Sequence, residues 1–255
     1  MKIALLGYGR MGREVESVAL RDGHEIVLRM DVDAEGADRI DAAEVDARLS
    51  EADAAIDFSV ASAVAGHVSR AVGAGTNVVV GTTGWEDDME RVRTMVESSE
   101  IGLLYGPNFS LGAHLFFRLA ELAGELAGRL GQHDVHLVET HHRHKRDHPS
   151  GTAKHVADLL VRVVDDKERW EPGPGDPDSP EVLQVTSIRA GEVAGVHVVG
   201  LDGPDDRIEV RHEARGRTGF ARGAVEAAEW LTGRKGYYTI DDLLDDRFET
   251  RERNR

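Results

Sequence analysis

The spacing Gly7-x-Gly9-x-x-Gly12, directly behind the apolar run Ile3-Ala4-Leu5-Leu6, constrains this chain more than any other feature. Glycines so spaced between a buried strand and a helix form the turn on which a dinucleotide pyrophosphate rests. The first permits the tight turn, the second lets phosphate oxygens approach the backbone, and the third lets helix and strand pack closely. The pattern alone is weak. It strengthens when an acid follows about 20 residues later, because a carboxylate there accepts from the adenosine ribose hydroxyls. Asp31 is that acid, at the end of the strand pattern 25–30. Cofactor contacts are therefore expected from Gly7, Tyr8, Gly9, Arg10, Met11, Gly12 and Asp31. A carboxylate repels a 2′-phosphate and Val32 brings no positive charge, so NADH is favoured, with NADPH left open.

The rest of the first half repeats the strand–helix alternation. Strands are expected at 2–6, 25–30, 54–58, 77–80 and 102–105, with a helix after the glycine motif to about 20 and others at 61–74 and 86–98. This is the pattern of a doubly wound parallel sheet, a Rossmann arrangement in the α/β class. After residue 109 the pattern changes. A long helix runs to about 130, a strand spans 136–139, and a helix spans 153–164. Residues 168–180, rich in Pro, Gly and Asp, are expected to be loop. Segments 183–189, 193–201 and 207–214 then alternate like antiparallel strands, and helices at 221–231 and 240–244 close the chain. The central region, 110–217, thus reads as a separate α+β domain behind the dinucleotide-binding domain 1–109.

Two turns at strand ends are further cofactor candidates, since ligands of doubly wound sheets lie at the carboxyl edge. They are Gly81-Thr82-Thr83-Gly84 and Gly106-Pro107-Asn108-Phe109. The most informative stretch is Glu139-Thr140-His141-His142-Arg143-His144-Lys145-Arg146-Asp147-His148-Pro149-Ser150-Gly151-Thr152-Ala153. The chain as a whole carries a formal charge of −16, yet it concentrates cationic and titratable groups here. Directly behind them Ser150-Gly151-Thr152 opens a helix, whose first N–H groups form an anion site. Cations beside a helix N-terminus suit a carboxylate substrate, and His and Lys supply proton donors near neutral pH.

Residues 139–153 closely resemble the signature E-x-H-H-x-x-K-x-D-x-P-S-G-T-A of the 4-hydroxy-tetrahydrodipicolinate reductase (dihydrodipicolinate reductase) family. The likeness extends to the glycine motif, to Gly81-Thr82-Thr83-Gly84, to Asn108-Phe109-Ser110, and to the stretch from Arg217 through Phe220 to Ala224-Val225. It implies reduction of 4-hydroxy-tetrahydrodipicolinate to tetrahydrodipicolinate by NAD(P)H, in the diaminopimelate route to lysine. It implies that His141 and Lys145 are catalytic and move protons, and that His142, with Ser150, Gly151 and Thr152 at the helix opening, binds the substrate dicarboxylate. Gly81, Thr82, Thr83, Gly106, Pro107, Asn108, Phe109, Arg217 and Phe220 join the cofactor set. It also implies that residues 218–255 complete the first domain and that the central domain forms a homotetramer through its sheet.

Charge and composition bound the alternatives. An excess of 47 acidic over 31 basic side chains argues against nucleic acid and anionic membrane as partners. The absence of cysteine excludes disulfides and thiolate chemistry. No apolar run reaches the roughly 18 residues of a membrane span, so a cytoplasmic protein is expected. With no Cys, and no ligating pair at helical spacing, no metal is expected. The lysines are few, at 2, 145, 154, 167 and 235, and that balance points to adaptation to high salt. Other readings are an amino-acid dehydrogenase, a dinucleotide-sensing regulator and a metal-dependent hydrolase. Only the reductase reading uses the whole cationic cluster.

Overall fold

The computed structural model describes residues 1–176 and 178–252. Along the chain the first elements are β1 (Lys2–Leu6), α1 (Arg10–Arg21), β2 (Glu25–Met30), α2 (Ala42–Glu51), β3 (Ala54–Asp57), α3 (Ala61–Ala74), β4 (Asn77–Val80), α4 (Met89–Glu97) and β5 (Gly102–Tyr105). They are followed by α5 (Leu111–Leu130), β6 (Asp134–His141), α6 (Gly151–Val163), β7 (Arg169–Pro172), β8 (Val182–Arg189), β9 (Val196–Asp202) and β10 (Arg207–Glu213). Last come α7 (Thr218–Trp230), β11 (Gly236–Thr239) and α8 (Ile240–Glu252). Two compact units result: Met1–Ser110 together with the chain from Arg217 onward, and Leu111–Gly216.

In the first unit six strands pair in the order β11-β5-β4-β3-β1-β2, all in parallel. Such a sheet is covered on both faces, which is why β1, β3 and β4 read as unbroken apolar runs rather than alternating ones. Two elements go beyond the expected set. Helix α2 is opened by Asp41, whose side chain accepts from Glu44 N–H at 2.9 Å, and it buries only Val45 and Leu49. Those two apolar contacts in an acidic stretch make a faint periodic signal. Strand β11, Gly-Tyr-Tyr-Thr, is half-buried along its length and becomes a strand by adding to the edge of β5.

The second unit has a mixed sheet in the order β10-β9-β6-β8-β7. The expected antiparallel run is corrected in part: β9 is antiparallel to β6 and β10, but β8 is parallel to both β6 and β7. Alternating burial records which side chains face the core and is blind to strand direction. The chain between β6 and β8 contains α6, and a helical crossover of that kind returns a strand in parallel. Part of the expected loop 168–180 is strand β7. One face of this sheet packs its Val135, Leu137, Leu183, Val185, Val199 and Leu201 with apolar side chains of α5 and α6. Among the described residues no helix is long and apolar enough to cross a membrane.

Candidate active site

In the first unit the glycine turn lies where β1 hands over to α1. Gly7 has φ +92°, and a Cβ there would come within 2.4 Å of the Phe58 carbonyl oxygen. A Cβ on Gly12 would come within 2.2 Å of the Gly7 carbonyl oxygen, so helix and strand touch at their backbones. Gly9, by contrast, has nothing within 4 Å of its Cβ position, and its exposed face is open to a ligand. It caps α1 without a side-chain hydrogen bond, and the first turn of the helix carries no acid. The leading N–H groups and the positive end of the helix dipole are thus available to an anion. Arg10 is exposed at the first helical position. Tyr8 is turned inward, with its hydroxyl on Glu16 and its ring under the Arg13 guanidinium, and offers a ligand only its backbone.

Asp31 ends the next strand and accepts three backbone N–H groups, from Tyr8 at 2.8 Å and from Asp33 and Ala34 at 3.1 Å each. Desolvation pushes its carboxyl up, but these donors outweigh that and hold it below the usual carboxylate range. Val32 beside it is 85% exposed. Two guanidinium groups grip the same loop, Arg39 on the Val32 carbonyl at 3.1 Å and Arg13 on the Glu35 carbonyl.

The Gly81–Gly84 turn meets a buried carboxylate. Asp57, at the end of β3, has no exposed surface. Its Oδ1 accepts from Thr82 Oγ1 at 2.8 Å, Ser59 Oγ at 2.7 Å and Ser59 N–H at 2.9 Å, and its Oδ2 lies 2.7 Å from His67 Nδ1 on α3. The Thr82 hydroxyl is therefore engaged inside the protein, whereas Thr83 is exposed. Gly81 makes room for the Phe58 ring, which a Cβ would approach to 2.1 Å. That ring meets Phe109 edge-on at 6.1 Å. Phe109 is itself buried at 1% exposure, so its ring is core; Gly106 is buried against that ring, and Pro107 and Asn108 form the outer rim of the turn. Arg217 and Phe220 sit at the start of α7, which Thr218 ties to Glu14 of α1.

In the second unit Glu139 organises the cluster. Its carboxylate has no exposed surface. Oε1 accepts from Ser150 N–H at 2.9 Å, Ser187 Oγ at 2.7 Å and Arg189 Nη2 at 2.8 Å, and Oε2 lies 2.9 Å from His141 Nδ1. Burial opposes the charge, but His141, Ser150, Arg189 and Ser187 together drive the carboxyl far below its ordinary range. With Nδ1 turned to Glu139, His141 has Nε2 left for other partners, beside Gly195, where a Cβ would stand 3.0 Å away. Ser150 is buried at 2% exposure and accepts from Ala153 N–H at 3.1 Å, the cap of α6. Ser150 N–H is held by Glu139 and Lys154 N–H by the Ser150 carbonyl, so the N–H groups of the first turn with no partner among the described residues are those of Gly151 and Thr152.

The loop between His141 and Ser150 is stapled from β8. Arg189 donates to the carbonyls of Lys145 at 3.3 Å and Asp147 at 2.5 Å while holding Glu139. His142 N–H reaches the Val193 carbonyl at 2.7 Å, and Lys145 N–H closes a turn on His142. Lys145 Nζ pairs with Asp147 at 2.9 Å; desolvation lifts the Asp147 carboxyl, but this pair takes it below its usual value. Glu139, His141 and His197 bring possible ligand atoms within 4.8 Å of one another, a proximity that spacing along the chain hides. The Arg189 guanidinium on the same carboxylate makes this a hydrogen-bonded network poorly suited to a second cation.

The sequence matches "Dihydrodipicolinate reductase, N-terminus" over residues 1–109 and "Dihydrodipicolinate reductase, C-terminus" over residues 112–244. The chain belongs to the dihydrodipicolinate reductase family. Among curated relatives, the 4-hydroxy-tetrahydrodipicolinate reductase of Christiangramia forsetii is 38% identical over 250 residues, covering 98% of this chain and all of that one. The enzyme of the same name from Archaeoglobus fulgidus is 36% identical over 263 residues, covering 96% of this chain and all of that one. A solved dihydrodipicolinate reductase from Paenisporosarcina sp. TG-14, bound to dipicolinate, superposes with a TM-score of 0.77 at 20% identity, covering 94% of this chain and 97% of that one.

Membership in the dihydrodipicolinate reductase family bears out the resemblance read from residues 139–153, and with it the oxidoreductase class and the place in diaminopimelate and lysine biosynthesis. Within the reductase fold, sequence reasoning passed over Asp57, His67, Arg189 and His197. Asp57 closes a strand beside a Phe-Ser pair, which is a visible signal. The other three come from distant segments and become neighbours only through the fold.

Proposed function

We propose that this chain reduces 4-hydroxy-tetrahydrodipicolinate to tetrahydrodipicolinate with a reduced nicotinamide dinucleotide bound by its first unit. The observation that carries the reading is the free N-terminal turn of α6, with the Gly151 and Thr152 N–H groups unengaged among the described residues and the cations of residues 141–148 preceding it. The open face of Gly9, the acid-free first turn of α1 and the ionised Asp31 fit a dinucleotide's pyrophosphate and ribose. When bound, the reduced nicotinamide supplies a hydride.

The chain's own residues bind, orient and move protons. Gly151 and Thr152 hold one substrate carboxylate on the helix terminus, and His142 and Lys145 add positive charge. Glu139 orients His141 through Nδ1, so that Nε2 is the atom that exchanges a proton. The 4-hydroxyl leaves as water to give the conjugated ring, and either His141 or Lys145 protonates the enamine that follows hydride addition to it. Thr83 and the turn of Gly106, Pro107 and Asn108, of which the last two form the outer rim, line the nicotinamide end, with Arg217 and Phe220 at the start of α7 beside the dinucleotide. NADH is favoured because Asp31 repels a 2′-phosphate; Arg13 and Arg39, gripping the Asp31 loop, are the cations that would allow NADPH.

The second sheet supports a homotetrameric reading. Its face away from α5 and α6 carries Val138, Thr140, Thr186, Ile188 and Val198, all partly exposed and well suited to sheet-on-sheet packing. The enzyme is read as cytoplasmic. The test is substrate-dependent loss of nicotinamide absorbance with freshly generated 4-hydroxy-tetrahydrodipicolinate, run with NADH and with NADPH. Turnover with kcat/KM higher for NADH is expected. No turnover with either cofactor, despite dinucleotide binding, would overturn the reading.

A further inference from the structure

His197 lies on β9 between two titratable side chains on the same rung of the second sheet, opposite Glu139 of β6 on one side and His212 of β10 on the other. It is 4% exposed. Its ring meets His141 edge-on at 5.1 Å and lies roughly parallel to His212 at 6.4 Å, with Phe116 of α5 at 6.3 Å. Nδ1 has no hydrogen-bond partner among the described residues. Packing alone does not call for an imidazole here, since a leucine would fill the space without burying an unpartnered ring nitrogen.

Nε2 supplies the reason. It lies 3.2 Å from Ser150 Oγ. That oxygen already accepts from Ala153 N–H, which leaves the single Ser150 proton free to be donated, and His197 Nε2, in the Nδ1–H tautomer, stands in position to accept it. Burial first, then the neighbouring His141, pushes the His197 imidazole down to about 4, so near neutral pH the ring is neutral and carries one proton, which on Nδ1 leaves Nε2 as the acceptor. The same ring sets the second wall of His141, whose Nδ1 is held by Glu139.

We propose that His197 is a positioning residue for the reaction: its Nε2 fixes the Ser150 hydroxyl, and thereby the α6 terminus that takes the substrate carboxylate, while its ring backs His141. The assignment rests on the functional reading above. Substitutions at 197 should therefore act on the dicarboxylate and spare the dinucleotide.

The test compares the full-length wild type with His197→Leu, His197→Gln and Ser150→Ala, measuring KM for the dicarboxylate, Kd for dipicolinate and Kd for the dinucleotide. His197→Leu is expected to raise the first two by about 10-fold or more, the scale of one lost buried hydrogen bond, and to leave the third unchanged. Gln places an acceptor near the Nε2 position and should restore most of the loss. Ser150→Ala should resemble His197→Leu, and the double variant should be no worse than either single one, as for two ends of one interaction. Wild-type dipicolinate affinity in His197→Leu, or in Ser150→Ala if the former does not fold, overturns the assignment. So does a Gln variant as impaired as Leu. A wild type without turnover overturns the functional reading instead.

Discussion

A motif fixes which residues stand at a turn, and the structure then decides which atoms of them face outward. Thr82 and Thr83 are adjacent, yet the hydroxyl of Thr82 is bound to Asp57 while Thr83 is exposed. Tyr8, Phe109 and Ser150 likewise direct their side chains inward, and the Tyr8 and Ser150 N–H groups are themselves held, by Asp31 and Glu139. Asp57→Asn removes the charge on which Thr82, Ser59 and His67 converge and should weaken dinucleotide binding by about 10-fold, with Thr82→Val alike. Fluorescence titration of folded variants reads this, and unchanged affinity in both would refute the strut. The signature points to His141 and Lys145 because the chemistry proposed for them is carried by residue type. Each changed to Ala should lower kcat by at least about 10²-fold, the scale of a lost general acid; near-normal turnover in both would remove them from the proton steps.

Elements were legible where burial was strong. The strands of the parallel sheet announce themselves as apolar runs, whereas α2 shows two buried positions, and β11 shows none that is fully buried. The direction of β8 has no local signature at all, being set by the helical crossover that precedes it. One rung of the second sheet, Glu139–His197–His212, makes a pH prediction. Burial holds the His197 imidazole down at about 4 in the fold, against about 6.5 for an imidazole in the unfolded chain. Between those values the unfolded chain binds a proton that the native state refuses, so stability falls as pH drops through that window. His141, Glu139, His212 and Lys145 are the charged or titratable groups acting on it. Glu139, held low, acts in the same direction further down: its contribution is present above about pH 4.3 and lost as pH falls toward its folded value. Urea unfolding near pH 7 and near pH 5 should show the wild type losing more stability than His197→Leu. Equal losses would show that the rung does not carry the effect.

At the scale of the whole molecule the fold class and the reductase family were readable from sequence, because alternating elements and a dense signature are local facts. The charge balance is equally plain there, and its consequence is physical. A net charge of −16 on 27.8 kDa repels itself, while surface pairs such as Arg70–Asp46 and Arg234–Asp246 gain little in water. Screening shortens to about 3 Å in molar salt, which relieves the repulsion more than it weakens such pairs. The melting temperature should therefore rise from dilute buffer to molar potassium chloride. A melting temperature that falls with salt would place the surface pairs above the repulsion.

The Arg189 staple has a bearing on how freely this protein can change. It holds the 141–150 loop by main-chain carbonyls and by a buried acid, so the grip does not depend on what side chains the loop carries. Arg143, His144, Arg146 and His148 are exposed along it. Variation can therefore range over those four positions, retuning the charge offered to an incoming acid, without renegotiating the path of the chain. That freedom is vested in an arginine at the end of β8, which holds the loop from outside it.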